Sequence, residues 1–374
     1  VSMNDDGTLT ESGAFAASQD EYGRHLLRAW FYALAGVTYT EHSPTGQATI
    51  AFMGDSWANG LHSLLQPRLQ TAYGKASIGY CGVGHVASGI YLPVGVTCTL
   101  SGTWTHSDQA VGSRGINCHH AASTDDSTPA KIQYDIDYSA TPNIQTTGFV
   151  IYYVTQVDGG KFEYQINSGG WTEVNTADAA EAMAFVTVTG LTGTLDHVLE
   201  LRMKTAGSAG VIICGVEFKS AEVGITVHKI GNGGSTSTSW AQVDETMWEA
   251  SLTQLDPDLI IIELGVNDCG SSAATYNANL DTIVDRIQAT LPLASILLLT
   301  PGARQDVSGH DISEYVDQMR AVAVDQGCAC LDLLLNSGDY EYADGAGQMA
   351  DAAHPSTAGY YLYTNRMQRM LEIY

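Results

Sequence analysis

Basic side chains are scarce in this 374-residue chain, in which 16 lysines and arginines stand against 41 aspartates and glutamates, for a formal net charge of −25. A surface of this sign repels phosphate backbones, so the sequence argues against a nucleic-acid partner. Long apolar runs are missing too, since no stretch reaches the roughly eighteen residues of a membrane-spanning helix. No basic-then-apolar leader opens the sequence, and we therefore expect a soluble protein without membrane insertion.

Cysteine spacing excludes the usual cysteine-based scaffolds. The seven cysteines are odd in number, scattered and without a CxxC pair, which argues against a disulfide framework or a zinc ribbon. The run Cys118-His119-His120 invites a zinc interpretation, but no second ligand pair lies at metal spacing. We therefore expect no bound metal. The apolar content of 44% is that of a globular protein with a sizeable core.

Apolar strands alternate with helical patterns in two separated parts of the chain, residues 46–94 and 223–374. In the first part, "ATIAFM" (48–53) predicts a strand and residues 57–74 a helix, in which Pro67 should cause a kink or a break. In the second part, four strands alternate with helices, and the last helix has Ser356 as a plausible cap. This rhythm predicts an α/β fold with a doubly wound, mostly parallel, flavodoxin-like sheet.

The segment between these parts has a different texture. Residues 95–222 consist of short runs that alternate polar and apolar side chains, rich in Tyr, Val, Thr and Ile and bounded by turn residues. This pattern predicts an inserted β-sandwich domain. Exposed aromatic residues there could stack on sugar rings, so the insert is a candidate carbohydrate-binding unit. The segment before residue 46 is predicted to be helical, chiefly over residues 18–36.

Polar residues follow the predicted strands at the sheet edge where reactive groups gather in parallel α/β proteins. Ser56 stands where a strand turns into a helix, and a histidine base could activate its hydroxyl. His354 is a candidate for that base, with Asp351, three residues earlier, to hold its tautomer. An oxyanion could be bound by the Ser56 N–H, a glycine N–H of "GNGGST" (231–236) and the Asn267 side chain. Taken singly, Ser56 could be a helix cap, Asn267 a turn former and His354 a surface residue.

Taken together, Gly54-Asp55-Ser56, Gly234, Gly265-Val266-Asn267-Asp268 and Asp351-Ala352-Ala353-His354 resemble the SGNH (GDSL) hydrolase superfamily. The resemblance covers residues 46–80 and 223–374. It implies Ser56 as nucleophile, His354 as base and Asp351 as its partner. It also implies an oxyanion hole formed by Ser56, Gly234 and Asn267, with no cofactor.

The oxyanion glycine is the least defined part of this assignment. Gly231 and Gly233 stand beside Gly234, and "GYCGVGH" (79–85) offers Gly82 and Gly84; Gly234 is preferred because "GGSTS" follows the second strand, as the family's second block does. A second departure concerns Trp57, which stands where the family usually has leucine or isoleucine and raises a question about substrate shape.

The favoured hypothesis is a serine esterase that removes O-acetyl groups from a polysaccharide, because an inserted sandwich could hold a polymer beside the cleft. The layout resembles peptidoglycan O-acetylesterases and bacteriophage tail-spike deacetylases. That resemblance leads us to expect an extracellular or virion-associated protein, and it leaves open a homo-oligomer, a trimer if the chain is from a tail spike. The alternatives are a lipase or thioesterase acting on acyl chains and a non-catalytic glycan-binding tail module.

Overall fold

The structure is a computed structural model that describes residues 2–3, 9–10, 20–38, 46–84, 92–139, 143–306 and 310–372. Within these ranges the strands are β1 Ser2–Met3, β2 Leu9–Thr10, β3 Glu21–Tyr22, β4 Gln47–Gly54, β5 Gly79–Gly82, β6 Val96–Ser101, β7 Thr105–Asp108, β8 His119–Ser123, β9 Lys131–Ile136, β10 Gly148–Thr155, β11 Lys161–Ile166, β12 Thr172–Asn175, β13 Ala182–Thr189, β14 His197–Thr205, β15 Val211–Lys219, β16 Gly224–Lys229, β17 Leu259–Glu263, β18 Ser295–Leu299 and β19 Ala329–Leu331. The α-helices are α1 Arg28–Thr38, α2 Ser56–Tyr73, α3 Ser237–Ala241, α4 Glu245–Leu255, α5 Ala273–Thr290, α6 Ile312–Asp325, α7 Leu333–Ser337, α8 Tyr340–Gly345 and α9 Thr357–Leu371.

A six-stranded sheet organises the α/β part, with the order β16–β4–β17–β18–β19–β3. All neighbours pair in parallel except β3, which runs antiparallel to β19 at the edge. Every residue of β17 and β18 is buried, because helices cover both faces of the sheet. Helices α4, α5 and α6 contribute to the core on one face, and α1, α2 and α9 to the core on the other.

Two antiparallel sheets are built from the segment between β4–α2 and β16. One has the order β13–β10–β15–β8–β7, with β5 also paired to β15, and the other has the order β12–β11–β14–β9–β6. Both sheets contribute to one apolar core, to which Tyr134 and Phe162 belong on one side and Phe149 and Ile213 on the other. Strand β15 is buried along nearly its whole length. Its other face shares a core with α4 of the α/β part, which joins the two parts through packed side chains.

The mixed α/β class is confirmed, while several elements differ in detail from the sequence-based prediction. The helix expected over 18–36 begins at Arg28, after a short strand and a 3₁₀ turn, and the first two residues of that range lie outside the described residues. Helix α2 is not interrupted at Pro67, whose position is exposed, so water can bond the carbonyl that a proline ring leaves without an N–H. Residues 239–255, the first of the helical patterns in the second part of the chain, belong to two helices and not to one, because Asp244 caps a new helix.

Strand pairing joins two of the predicted segments at β5. Strand β5 precedes residue 95, the predicted start of the insert, yet it pairs with β15 of the antiparallel sheets. Most of the predicted N-terminal segment 1–45 lies outside the described residues, and α1 is the helix seen within it. None of the helices in the described ranges combines the length and apolar character that crossing a bilayer requires.

Candidate active site

Ser56 is the first residue of α2, directly after strand β4 and the Gly54-Asp55 turn. Gly54 has a φ of 144°, and a Cβ on it would lie 2.0 Å from the Glu263 carbonyl oxygen, so only glycine fits this close approach between β4 and β17. Asp55, and not Ser56, caps the helix, since its carboxylate accepts a hydrogen bond of 2.8 Å from the Trp57 N–H. The Ser56 hydroxyl is therefore not used as a cap.

The Ser56 hydroxyl meets an imidazole from the other end of the chain. Its Oγ lies 3.0 Å from His354 Nε2, and His354 Nδ1 lies 3.0 Å from Asp351 Oδ2. Asp351 also accepts hydrogen bonds of 2.8 Å from the N–H groups of Ala353 and His354. The hydrogen bond from Ala353 is the largest of the effects that lower the pKa of Asp351, and those from His354 act in the same direction. The carboxylate thus stays ionised, and its exposed side chain also favours the charged form.

Trp57 supports the loop that carries His354. The ring is fully buried, and its Nε1–H donates a hydrogen bond of 2.7 Å to the Ala353 carbonyl. The ring also packs against Tyr363 of α9, with the ring centroids 5.4 Å apart. The departure from the family pattern at this position therefore concerns the anchoring of the histidine loop, and the side chain does not line an open cleft.

A pair of buried carboxyl groups lies beneath Ser56. Asp55 and Glu263 are both fully buried, and burial is the main cause that raises the pKa of Asp55 to about 6 and the pKa of Glu263 well above its usual value. Glu263 Oε2 accepts a hydrogen bond of 3.1 Å from the Ala58 N–H, while its Oε1 has no other hydrogen-bond donor within reach among the described residues. A proton on Glu263 that is donated to Asp55 satisfies both groups. The sequence carries one signal of this pair, which is a lone acid in the apolar run "LIIIELG".

Asn267 joins this pair to the glycine-containing loop. Its Nδ2 donates to Asp55 Oδ2 at 3.0 Å and to the Ser235 carbonyl at 3.2 Å. Both amide hydrogens therefore have protein acceptors in this structure. To bind an oxyanion, the amide would exchange or share the longer of these two bonds. Asp268, the next residue, is buried and accepts hydrogen bonds from the N–H and hydroxyl of Ser237, which fixes the start of α3.

The candidate oxyanion glycines have different surroundings. Gly231 packs against α2, since a Cβ on it would lie 3.3 Å from Asn59 Oδ1 and 3.4 Å from Ala58 Cβ. Gly234 has a φ of 81°, and a Cβ there would meet a single described heavy atom within 4 Å, on Gln109. The loop of residues 231–236 is hydrogen-bonded to the turn that precedes Ser56, because Ser235 Oγ donates to the Gly54 carbonyl at 3.2 Å.

The two earlier glycine candidates lie elsewhere. Gly82 pairs with Gly215 in the antiparallel sheet, and a Cβ on Gly84 would lie 3.0 Å from Cys98 Cβ. Both glycines therefore pack within the antiparallel sheets.

Histidine and cysteine side chains of the β7–β8 hairpin make hydrogen bonds within the protein. His106 Nδ1 lies 3.0 Å from His119 Nε2, and His120 Nδ1 accepts from the Arg114 N–H at 3.2 Å. Cys118 Sγ donates to the Ser239 carbonyl. In the part of the chain that the structure describes, no three metal-ligating side chains converge, and none of the seven cysteines forms a disulfide.

The arrangement of Ser56, His354 and Asp351 allows the serine to act as a nucleophile. A histidine within hydrogen-bond distance of a serine hydroxyl can take its proton, and a carboxylate on the other ring nitrogen stabilises the imidazolium that results. The Ser56 N–H lies at the start of α2, where the helix dipole favours a developing negative charge. Such an arrangement suits acyl transfer from an ester to water through the serine.

Part of the chain matches a known protein family, and the fold resembles a solved structure. Residues 218–362 match the profile of the GDSL-like lipase/acylhydrolase family. The fold is similar to a solved structure described as a peptidoglycan O-acetylesterase in action, with a TM-score of 0.71 and 17% identity over 92% of this chain and 96% of that chain. A weaker likeness is to the acetylxylan esterase Axe2 from Geobacillus stearothermophilus, with a TM-score of 0.33 and 20% identity over 41% of this chain and 74% of the other. No curated protein sequence matches the chain significantly.

Proposed function

We propose that the chain is a carboxylic ester hydrolase of the SGNH type that removes O-acetyl groups from a polysaccharide through an acyl-enzyme on Ser56. The observation that carries the proposal is the continuous contact from Ser56 Oγ through the His354 ring to Asp351, with 3.0 Å at each step. Ser56 and His354 are 298 positions apart in the chain, so their contact is a property of the fold and not of local sequence.

In the proposed mechanism, Ser56 Oγ attacks the acetyl carbonyl carbon while His354 Nε2 takes the hydroxyl proton. Asp351 stabilises the imidazolium. The tetrahedral oxyanion accepts hydrogen bonds from the N–H groups of Ser56 and Gly234 and from the Asn267 amide. Collapse breaks the bond to the sugar oxygen, which receives the proton from His354. Water, deprotonated by the same imidazole, then releases acetate and restores Ser56.

The polysaccharide substrate is the finer part of the proposal. It is supported by the likeness over 92% of the chain to the peptidoglycan O-acetylesterase structure, which takes in the antiparallel sheets as well as the α/β part. We also propose that residues 95–222 form an inserted β-sandwich domain beside the site and that it binds carbohydrate. An extracellular or virion-associated location, and a homo-oligomer such as a tail-spike trimer, accord with a substrate on a bacterial surface.

Acetate release from a panel of O-acetylated glycans, compared with p-nitrophenyl acetate, tests the proposal. The wild-type protein should release acetate from at least one glycan with a higher kcat/KM than from p-nitrophenyl acetate. Ser56→Ala should abolish both activities, and its circular dichroism spectrum and melting temperature should match the wild type. Unchanged turnover of p-nitrophenyl acetate by Ser56→Ala would refute the nucleophile assignment.

A second candidate function is the hydrolysis of esters with longer acyl chains, because the matching family includes lipases. A series of p-nitrophenyl esters from acetyl to dodecanoyl separates the two functions. A deacetylase should lose activity steeply beyond the acetyl ester, whereas a lipase or thioesterase should gain it. A non-catalytic glycan-binding module would show no turnover of any ester in the series.

A further inference from the structure

The antiparallel sheets reach into the candidate active site through the loop between β7 and β8, residues 109–118, which we call the hairpin loop. Its partner is Asn232, a fully buried residue of the loop that also carries Gly234. The Asn232 side-chain nitrogen donates to Asp108 Oδ1 at 2.8 Å and to the Asn117 carbonyl at 3.1 Å. Its side-chain oxygen accepts from Gln109 Nε2 at 3.0 Å. The hairpin thus satisfies both ends of the buried amide.

The same contacts extend to the glycine backbone and to the nucleophile turn. Gln109 Nε2 also donates to the Gly233 carbonyl at 2.8 Å, on the peptide that joins Gly233 to Gly234. That peptide carries the N–H of Gly234, so the bond restrains the orientation of the candidate oxyanion donor. On the other side, the Asn232 N–H donates to the Gly54 carbonyl at 2.8 Å, two residues before Ser56. Asn232 therefore links the hairpin to both components of the site.

The hairpin loop is held in an unusual backbone conformation. Gln109 and Cys118 have φ values of 54° and 57°, in the left-handed region that residues other than glycine seldom adopt. The Gln109 N–H donates to the Cys118 carbonyl at 2.8 Å, which closes the loop between them. Gly112 and Ser113 are hydrogen-bonded to the backbone at Gln242 and Asp244. Such conformations persist where the surroundings determine them strongly, and they concentrate at functional sites.

We propose that the hairpin loop is part of the catalytic apparatus, with Asp108, Gln109 and Asn232 as positioning residues that fix the Gly233–Gly234 peptide to receive the oxyanion. The proposal rests on the proposed function and on Gly234 as an oxyanion donor. An oxyanion hole stabilises a transition state only when its donors are fixed in advance, and a glycine-rich loop supplies little rigidity of its own. The antiparallel sheets would then contribute to the chemical step, whether or not they bind glycan.

The test exchanges the donor and the acceptor in the Asp108–Asn232 pair. Asn232→Asp removes both donated hydrogen bonds and sets a second carboxylate against Asp108, so kcat should fall about 100-fold, as for loss of one oxyanion donor, with little change in KM. Adding Asp108→Asn restores a donor facing an acceptor. The double variant should therefore regain at least about tenfold of the lost kcat, a coupling that loss of stability alone does not produce.

Gln109→Ala is a milder variant on the part-buried side of the network, and Gln156→Ala is its matched control. Gln156 Nε2 bridges the carbonyls of Ala209 and Gly210, in a turn between other strands of the antiparallel sheets. Gln109→Ala should lower kcat about tenfold or more, in line with a misplaced donor, while Gln156→Ala should leave kcat unchanged. If Asn232→Asp does not fold, this pair decides the question.

All rates are expressed per active site, counted by titration with an organophosphonate ester that reacts with the nucleophile, and melting temperatures are measured alongside. A kcat per site that stays at the wild-type value in Gln109→Ala, or that falls equally in Gln156→Ala, would overturn the proposal. Its failure is distinguishable from failure of the proposed function, because the latter appears in the wild type and Ser56→Ala. If Ser56→Ala retained wild-type turnover, the site assignment itself would fall before the hairpin variants are considered.

Discussion

Replacement of Glu263 by glutamine should change how the stability of the protein depends on pH. Glu263 is fully buried and faces Asp55, and burial raises its pKa well above the ordinary value of 4.5. The folded protein therefore keeps a proton on Glu263 at pH values where the unfolded chain has released it. Folding stability falls as pH rises over that interval, because the folded state binds more protons than the unfolded state. Glutamine resembles the protonated acid in shape and does not titrate.

The magnitude follows from the linkage relation. Each pH unit spent between the unfolded and the folded pKa costs the wild type about 1.4 kcal/mol of unfolding free energy. Glu263→Gln keeps an oxygen for the Ala58 N–H and offers an N–H to Asp55. The unfolding free energy of the variant minus that of the wild type should therefore rise by about 1.4 kcal/mol for each pH unit of that interval.

Urea denaturation followed by circular dichroism at pH 5, 6, 7 and 8 measures this difference. Glu163→Gln is the control, since Lys204 and Arg202 hydrogen-bond to Glu163 and lower its pKa. Glu163 is then ionised in the folded and the unfolded state above about pH 5.5, and its variant should differ from the wild type by a pH-independent amount. A pH-independent difference for Glu263→Gln as well would refute the shared proton beneath Ser56.

Three further predictions concern the reacting groups. Asn267→Ala should lower kcat by about 10²–10³-fold, which is the usual effect of losing one oxyanion donor, with a small change in KM. Steady-state assays of p-nitrophenyl acetate measure both constants. A kcat within twofold of the wild type would exclude the amide from the oxyanion hole. Trp57→Phe should leave the half-buried Ala353 carbonyl without its protein donor, at a cost of about 0.5–1.5 kcal/mol in urea unfolding. It should also lower kcat because the histidine loop loses its anchor, and an unchanged kcat would limit the role of Trp57 to stability. The double variant with His354→Asn and Ser56→Ala should be no slower than Ser56→Ala alone, because substitutions of residues that act as one catalytic unit do not have additive effects. A double variant whose loss of rate is the product of the two single losses would show that the two residues act independently.

The parts of the fold that follow local pattern were predictable. The buried strand that stops at Gly54 and the helix that follows it are where periodicity indicates, and so is the terminal helix capped by Ser356. Breaks inside helical patterns were less accessible. The apolar spacing around residues 239–255 continues across Asp244. The segment is divided into α3 and α4 by the cap that the Asp244 side chain forms and by the hydrogen bond that its N–H donates to the Ser113 carbonyl.

Side-chain partnerships across long sequence distances could not be read from the chain. Asp55 and Glu263 are separated by more than two hundred residues, and a lone acid in an apolar run does not tell which group it meets. Gln109 bonds Gly233 over a separation of 124 positions, in a loop that sequence patterning describes only as part of a β-rich region. The candidate catalytic and oxyanion-binding residues could be predicted because the family resemblance names them. The contacts that support these residues could not be predicted, because the packed fold determines which side chains are buried and which hydrogen bonds they make.

The central claim is that Ser56 becomes acylated during turnover. Protein that is turning over p-nitrophenyl acetate can be quenched in acid, digested and examined by peptide mass spectrometry. We predict the mass of one acetyl group on the peptide that contains Ser56, and no such adduct in the Ser56→Ala variant. An acetyl group found on a different side chain, with wild-type turnover in Ser56→Ala, would contradict the account.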